Sequence, residues 1–309
     1  MYGWRVLQGK VVLITGGARG VGATTAALLV TRGAKVVLVD LDAEPLRELV
    51  EQLGADRATS ILGDVTELAD MEAAVAHGVE RFGGIDVVMA NAGIASYGTV
   101  GVVDPAVFRR VIDINITGVF HTVRAALAQI EQRKGYVLVV SSEAAYAPAP
   151  GLASYNASKA GVEHLANALR LELGYKGVAV GSAHMSWIDT PMVQDAKRDL
   201  AAFREMLASL PGPLGATTSV EQCAEAFVRG IEKRAARINV PGWVGLLRLL
   251  KPLLSSRFFE LMSRRDARRT LPLMDEEVAR LGRSASARVT VAGAGHGESA
   301  ETAQAIESR

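Results

Sequence analysis

Residues 10–22 read KVVLITGGARGVG: an apolar run of extended-chain formers, then four glycines in eight residues, then the opening of a helical pattern. Glycine costs backbone entropy in regular structure, so a cluster marks a place where a side chain would be in the way. Between a strand and a helix N-terminus, such a cluster suits an anion. Gly16 permits the turn, Gly20 lets the backbone approach a phosphate, and Gly22 lets the helix pack closely. The first helical N–H groups add the positive end of a dipole. The spacing is not G-x-G-x-x-G, and no Lys-Ser/Thr pair follows to make a P-loop. A plain tight turn therefore stays open on this stretch alone.

Working outward, short β-branched runs alternate with longer helical patterns. Strands are expected at 10–14, 34–40, 58–64, 85–91, 136–142, 177–183 and 236–240. Helices are expected at 20–32, 44–53, 66–82, 104–133, 154–173 and 220–233. The strands are mostly continuous apolar runs, the pattern of parallel strands covered on both faces. Repeated strand-helix-strand units imply an α/β fold with a doubly wound sheet, whose ligands bind at the strand C-termini. Apolar residues at 49% and charged residues at 22% fit a globular chain with a large core, and a net charge of +1 offers no basic field for nucleic acid. Cys223 is the single cysteine, so no disulfide forms within one chain. With an N-terminus lacking a signal-type apolar stretch, this points to a cytoplasmic protein. The five histidines and the cysteine show no metal-ligand spacing.

Asp40 ends the second strand about 20 residues beyond the glycine turn, where a carboxylate can accept hydrogen bonds from the ribose hydroxyls of a dinucleotide. It would repel a 2′-phosphate, so NAD is favoured over NADP. Arg19, in the turn itself, pulls the other way. A turn or cap role for Asp40 stays open. Asp64, after the third strand, can bond an adenine amino group or serve the next helix N-terminus. Asn91-Ala92-Gly93 ends the fourth strand with small residues that leave room for the cofactor's central ribose.

Taken together, TGGARGVG, Asp64-Val65, Asn91-Ala92-Gly93, Asn115, Ser142 and the YNASK of residues 155–159 resemble the short-chain dehydrogenase/reductase family, over about residues 9–240. The resemblance implies a Rossmann-type doubly wound parallel β-sheet of about seven strands with helices on both faces. It also implies a nicotinamide cofactor and alcohol–carbonyl chemistry. Val21, Leu41, Val65, Tyr155 and Lys159 join the expected cofactor contacts. Tyr155 and Lys159 are four apart on one helix face. A free phenol has a pKa of about 10. A neighbouring ammonium and a positive nicotinamide would favour the phenolate, which could then take the alcohol proton. Ser142 can bond the substrate oxygen. The resemblance gives Asn115 a role in holding a water that relays protons through Lys159. It gives Thr190 and the backbone of Ile188 contact with the nicotinamide carboxamide. One departure stands out: in HMSWIDTPM, residues 184–192, Met185 and Ser186 stand where the family carries Pro-Gly. His184 is a candidate substrate contact or a satisfied buried ring.

A substrate loop is expected over residues 191–213, offering Met192, Val193, Phe203, Met206 and Leu207, with Ala145, Tyr146 and Pro148 facing it. This apolar lining suggests a lipophilic secondary alcohol or ketone. Residues 243–269 interleave leucines and phenylalanines with Arg and Lys, and Pro252 is expected to interrupt any helix there. One reading is peripheral contact with an anionic lipid surface; the other is a lid or subunit contact. Residues 241–282 are expected to form a helical extension and residues 283–309 a disordered tail. The family resemblance implies a homodimer or homotetramer packed through helices 104–133 and 154–173. The leading function is an NAD-dependent oxidoreductase. An NADPH-dependent ketone reductase, a non-catalytic dinucleotide-binding protein, and an interaction protein working through its basic extension are the alternatives.

Overall fold

A computed structural model of the chain describes residues 7–289. Seven strands, β1 (Val11–Thr15), β2 (Lys35–Asp40), β3 (Ala58–Leu62), β4 (Val87–Ala90), β5 (Tyr136–Val140), β6 (Ala179–Met185) and β7 (Arg237–Val240), form one sheet in the order β3-β2-β1-β4-β5-β6-β7. Every neighbouring pair is parallel. The helices between them are α1 (Gly20–Thr31), α2 (Ala43–Leu53), α3 (Leu68–Phe82), α4 (Pro105–Ile112), α5 (Gly118–Gln132), α6 (Ala153–Gly174), α7 (Pro191–Asp199), α8 (Ala201–Ser209) and α9 (Val220–Glu232). Beyond β7 follow α10 (Val244–Leu254) and α11 (Arg257–Leu281).

The alternation of side chains across a strand explains why each strand reads as uninterrupted apolar sequence. In β1, Val12 and Ile14 join one core with Ala26 and Leu29 of α1 and Phe227 and Ile231 of α9. Val11 and Leu13 join the opposite core with Met71 of α3, Val123 of α5 and Val162 of α6. Both faces of the sheet are covered. Strand order reverses between β1 and β4, which opens the crevice expected of this architecture.

The helix expected over 104–133 is continuous from Pro105 to Gln132, with one π-helical turn at Asp113–Thr117 between the segments α4 and α5; three other expectations change in the structure. This stretch, Pro105–Gln132, is long and apolar enough to cross a membrane by composition, but Val111, Asn115, Val123 and Ile130 are buried in this fold. The expected substrate loop is two helices, α7 and α8; Thr190 caps the first with its hydroxyl, which accepts from Val193 N at 3.4 Å. Pro252 does not break α10, which runs two residues past it to Leu254. A missing N–H in a last turn removes one bond near an end that frays in any case. Finally, residues 283–289, the head of the segment expected to be disordered, are packed. Tyr97 N donates to Ser284 O at 2.7 Å, Ser286 Oγ donates to Asp195 Oδ2 at 2.8 Å, and Arg283 pairs with Asp199 at 2.6 Å. The rest of that expected tail lies outside the described residues.

α11 is tied down along its second half. Met274 and Val278 pack with Phe203 and Leu207 of α8. Asp275 accepts from Thr99 N and Oγ1 at 2.8 and 2.7 Å. Glu277 accepts from Ala201 N and Ala202 N at 2.9 and 3.0 Å, placing a carboxylate at the N-terminus of α8 where the helix dipole favours it.

Candidate active site

The crevice holds a cavity of about 390 Å³. One end is walled by Gly16, Arg19, Gly20 and Val21 of the glycine turn, by Asp40 and Leu41 at the end of β2, and by Asp64 and Val65 after β3. Asn91, Ala92 and Gly93 line the middle. Ser142, Tyr155, Lys159, Ile188 and Thr190 line the other end. Of the expected site residues, Gly22 and Asn115 stand behind this wall.

Gly16 and Gly22 stand where a side chain would collide. Gly16 has φ +65°, and a Cβ there would lie 2.9 Å from Asn91 Nδ2. A Cβ on Gly22 would overlap the carbonyl oxygen of Gly16, so its role is close packing of α1 under the turn. Gly20 has φ +53°, and a Cβ there would meet Pro191 and Thr190 at ordinary contact distance, 3.6 Å each. α1 has no side-chain cap and no acidic residue in its first turn, so its leading N–H groups are left to an anionic ligand. The Asn91 amide donates to Thr15 O and Gly16 O at 3.0 Å each, and fixes the turn from the neighbouring strand.

Asp40 accepts from Ala18 N at 3.0 Å and Leu41 N at 2.8 Å; burial nevertheless raises its pKa, against those bonds. Arg19 is drawn aside to Asp42, at 3.1 Å. Asp64 accepts from Thr66 N and Oγ1 at 2.9 and 2.8 Å and pairs with Arg110 at 3.0 Å. Burial pushes its pKa up, but the Thr66 bonds and the guanidinium outweigh burial and hold it low. It is not the cap of α3, whose N-terminal neighbour is Glu67.

At the far end, α6 carries Tyr155 and Lys159 one turn apart, with Lys159 Nζ 5.5 Å from the Tyr155 ring centroid. Nζ donates to Val140 O at 3.0 Å, and burial pushes the ammonium down to about 8. The Tyr155 phenol is shifted upward. Burial raises its pKa, a hydrogen bond with Ser142 lowers it, and the Glu143 carboxylate raises it again. Desolvation of the phenolate outweighs the Ser142 hydrogen bond. Ser142 sits at the end of β5, its Oγ accepting from Ala144 N at 3.2 Å.

Asn115 lies in the π turn, which rotates its side chain inward. Its Oδ1 accepts from Ile94 N and its Nδ2 donates to Ile94 O and Ser158 Oγ, each at 2.9 Å. The amide thus braces the loop after β4 against α6. Gly93 lies between it and the lysine: a Cβ there would be 3.3 Å from both Asn115 Oδ1 and Lys159 Nζ. His184 is the satisfied buried ring. Its Nε2 lies 2.8 Å from Glu163 Oε2, its Nδ1 lies 3.3 Å from Ser142 O, and Tyr146 stacks on it at 4.4 Å.

Met185 ends β6 and Ser186 follows it in place of Pro-Gly, with Ser186 N donating to Val240 O at 2.8 Å. Ser186 Oγ donates to Glu143 Oε1 at 3.0 Å. Burial pushes Glu143 up to about 7. This cavity-lining carboxyl was overlooked in the sequence, although it directly follows Ser142. Of the expected substrate contacts, Met192, Val193 and Phe203 reach the cavity, whereas Ala145 and Tyr146 turn away and pack on α10. Trp187 lines the wall edge-on to Phe203 at 5.4 Å. Arg288 also lines it, paired with Asp195 at 3.0 Å; nothing in the local sequence signalled a site residue there.

The family model described as short chain dehydrogenase matches residues 10–201. The chain is a short-chain dehydrogenase. It is an oxidoreductase of CH–OH groups, and its family binds a nicotinamide dinucleotide. The dehydrogenase is 37% identical over 195 residues to a 3-alpha-(or 20-beta)-hydroxysteroid dehydrogenase of Mycobacterium bovis, covering 63% of this chain and 75% of that one. It is 38% identical over 197 residues to a trans-4-hydroxycyclohexanecarboxylate dehydrogenase of Sinomonas cyclohexanicum, covering 61% and 76%. The crystal structure of 3-ketoacyl-(acyl-carrier-protein) reductase from Brucella melitensis, complexed with NADH, is similar in structure. Its TM-score is 0.68 at 29% identity, and the match covers 76% of this chain and 97% of that one.

Proposed function

We propose that this dehydrogenase uses NAD to interconvert a lipophilic secondary alcohol and its ketone. The observation that carries the reading is the polarity of the cavity along its length. A carboxylate, Asp40, stands at the nucleotide end, while Ala95, Leu152, Trp187, Met192 and Phe203 surround the space beside Ser142 and Tyr155. The pairing of Arg19 with Asp42 supports NAD, because it leaves Asp40 facing the ribose position without a basic partner for a 2′-phosphate. Relatives named for a hydroxysteroid and for a hydroxycyclohexane acid support a cyclic secondary alcohol.

A nicotinamide dinucleotide held along Gly16, Gly20, Asp40 and Asn91–Gly93 would supply hydride acceptance in oxidation and hydride donation in reduction. The chain's own groups manage the proton. Ser142 Oγ–H donates to the substrate oxygen and holds it against Tyr155. Tyr155 as phenolate accepts the hydroxyl proton, or as phenol donates it in the reverse direction. Lys159, desolvated and close to neutrality, passes protons between that phenol and the region of Asn115. Exposed Phe120 and Leu171 on α5 and α6 support a subunit contact through those helices. A turnover screen with cyclic alcohols and ketones, run with NAD and NADP by nicotinamide absorbance, tests the reading. Preference for small polar sugars, or for NADP, overturns the corresponding half.

A further inference from the structure

α10 turns the wrong face to solvent. Leu246, Leu249, Leu250 and Leu253 lie at i, i+3, i+4 and i+7, the spacing of a single apolar stripe. In α9 that stripe is buried: Cys223, Phe227 and Ile231 are fully covered. In α10 it is exposed, Leu249 by 67%. The first half of α11 repeats the arrangement with Phe258, Leu261 and Met262, all exposed. The inward positions of α10 are already used, because Val244 and Leu247, with Trp243, pack on Ala145 and Tyr146. The outer stripes are therefore a second apolar surface, carried by a segment firmly seated on the loop that follows Ser142.

The charge around these stripes identifies what fits them. Residues 243–269 hold seven Lys and Arg against Glu260 and Asp266, a net of +5 in a chain whose total is +1, so the remainder carries −4. Arg248, Lys251, Arg257, Arg265 and Arg268 form no salt bridge among the described residues. A second copy of the chain docking face to face would bring +5 against +5. An anionic bilayer offers hydrocarbon to the stripes and phosphate to the guanidinium groups.

We propose that α10 and the first half of α11 form a docking surface for an anionic lipid bilayer, which sets the substrate end of the cavity close to the membrane. The link to substrate entry rests on the lipophilic substrate proposed above; the docking surface itself does not. The test is co-sedimentation of the full chain with phosphatidylcholine vesicles, with and without phosphatidylglycerol, at low and raised salt. The protein should pellet with the anionic vesicles at low salt and be released by added salt. A basic residue near an anionic surface contributes about fivefold to partitioning, so R265E/R268E should lower it by at least roughly 25-fold. L249D/L253D should abolish it, with melting temperature and cofactor binding unchanged. The proposal fails if the wild type stays in the supernatant with anionic vesicles at low salt. It also fails if L249D/L253D reduces the solution oligomer while vesicle partitioning stays unaltered, which would make the surface an interface between copies. Rejection of apolar alcohols with sedimentation intact would remove the substrate reading and leave the surface standing.

Discussion

At the nucleotide end of the cavity the wall residues lie between 16 and 93, at the C-terminal ends of β1 to β4 and on the turns and helix start that follow them. At the substrate end the wall is gathered from Ala95, the stretch after β5, Leu152 before α6, helices α7 and α8, and Arg288. The first end is assembled by short connections, each with its own glycine, Asp or Asn. The second is held shut from outside. α11 caps α8 through Glu277 and pins Thr99 through Asp275, and the segment after it buries Ser284 against Tyr97 and Ser286 against Asp195. Local turn chemistry suffices where the ligand is a constant dinucleotide. A variable pocket is built from packing between remote segments, which substitution can reshape without disturbing the sheet.

If the two ends are separable, substitutions should sort between them. The largest effect is expected where the ends meet. Tyr155→Phe removes the proton carrier and should lower kcat by about 100- to 10,000-fold, while cofactor affinity, read by nicotinamide fluorescence titration, stays near wild type. A parallel loss of cofactor binding would show that the phenol organises both ends. Phe203→Ala empties a buried position against Trp187 and should cost about 3–5 kcal/mol of stability. It should also raise substrate KM, with cofactor affinity unchanged; calorimetry and steady-state kinetics check both. Asp40→Ala is the mirror experiment. Loss of charge-assisted hydrogen bonds should weaken NAD by about 10-fold or more and narrow the preference over NADP, while substrate KM at saturating cofactor holds.

The smallest effect tests the seam. Glu143 titrates at about 7 in the fold, against 4.5 for the free side chain. Its folded pKa is raised, so folding binds a proton more tightly. Its contribution therefore falls as pH rises from about 4.5 through 7, and is fully penalised above that window. Glu143→Gln should flatten the decline of melting temperature across this window. The ionised carboxylate also raises the Tyr155 pKa, so Gln should move the Tyr155 limb of the kcat/KM profile to lower pH: the acidic limb in alcohol oxidation, the basic limb in ketone reduction. An unchanged profile would mean that Glu143 acts on stability alone.

The helix boundaries around the sheet, the parallel strand pattern, the glycine turn and the Tyr155–Lys159 pair were all legible in the chain, because each rests on periodicity or backbone freedom within a few residues. The π turn inside the long helix, between α4 and α5, was not. Hydrogen bonds through the Asn115 side chain to Ile94 and Ser158, remote in sequence, accompany the π turn, and the local pattern runs on uninterrupted. The direction of the Tyr155 shift also needed the fold, since it depends on how much water the assembled walls exclude. The same holds for Arg288. Residues 283–289 read as small and polar, and their order comes from Asp195, Asp199 and Tyr97, partners more than 80 residues away. Sequence alone determined the architecture and the chemistry it carries, through rules that act over one or two turns of chain. Tertiary structure alone decided the shape of the substrate end, the exposed face of α10 and the electrostatics of the phenol, because burial and distant contacts are properties of the whole packed molecule.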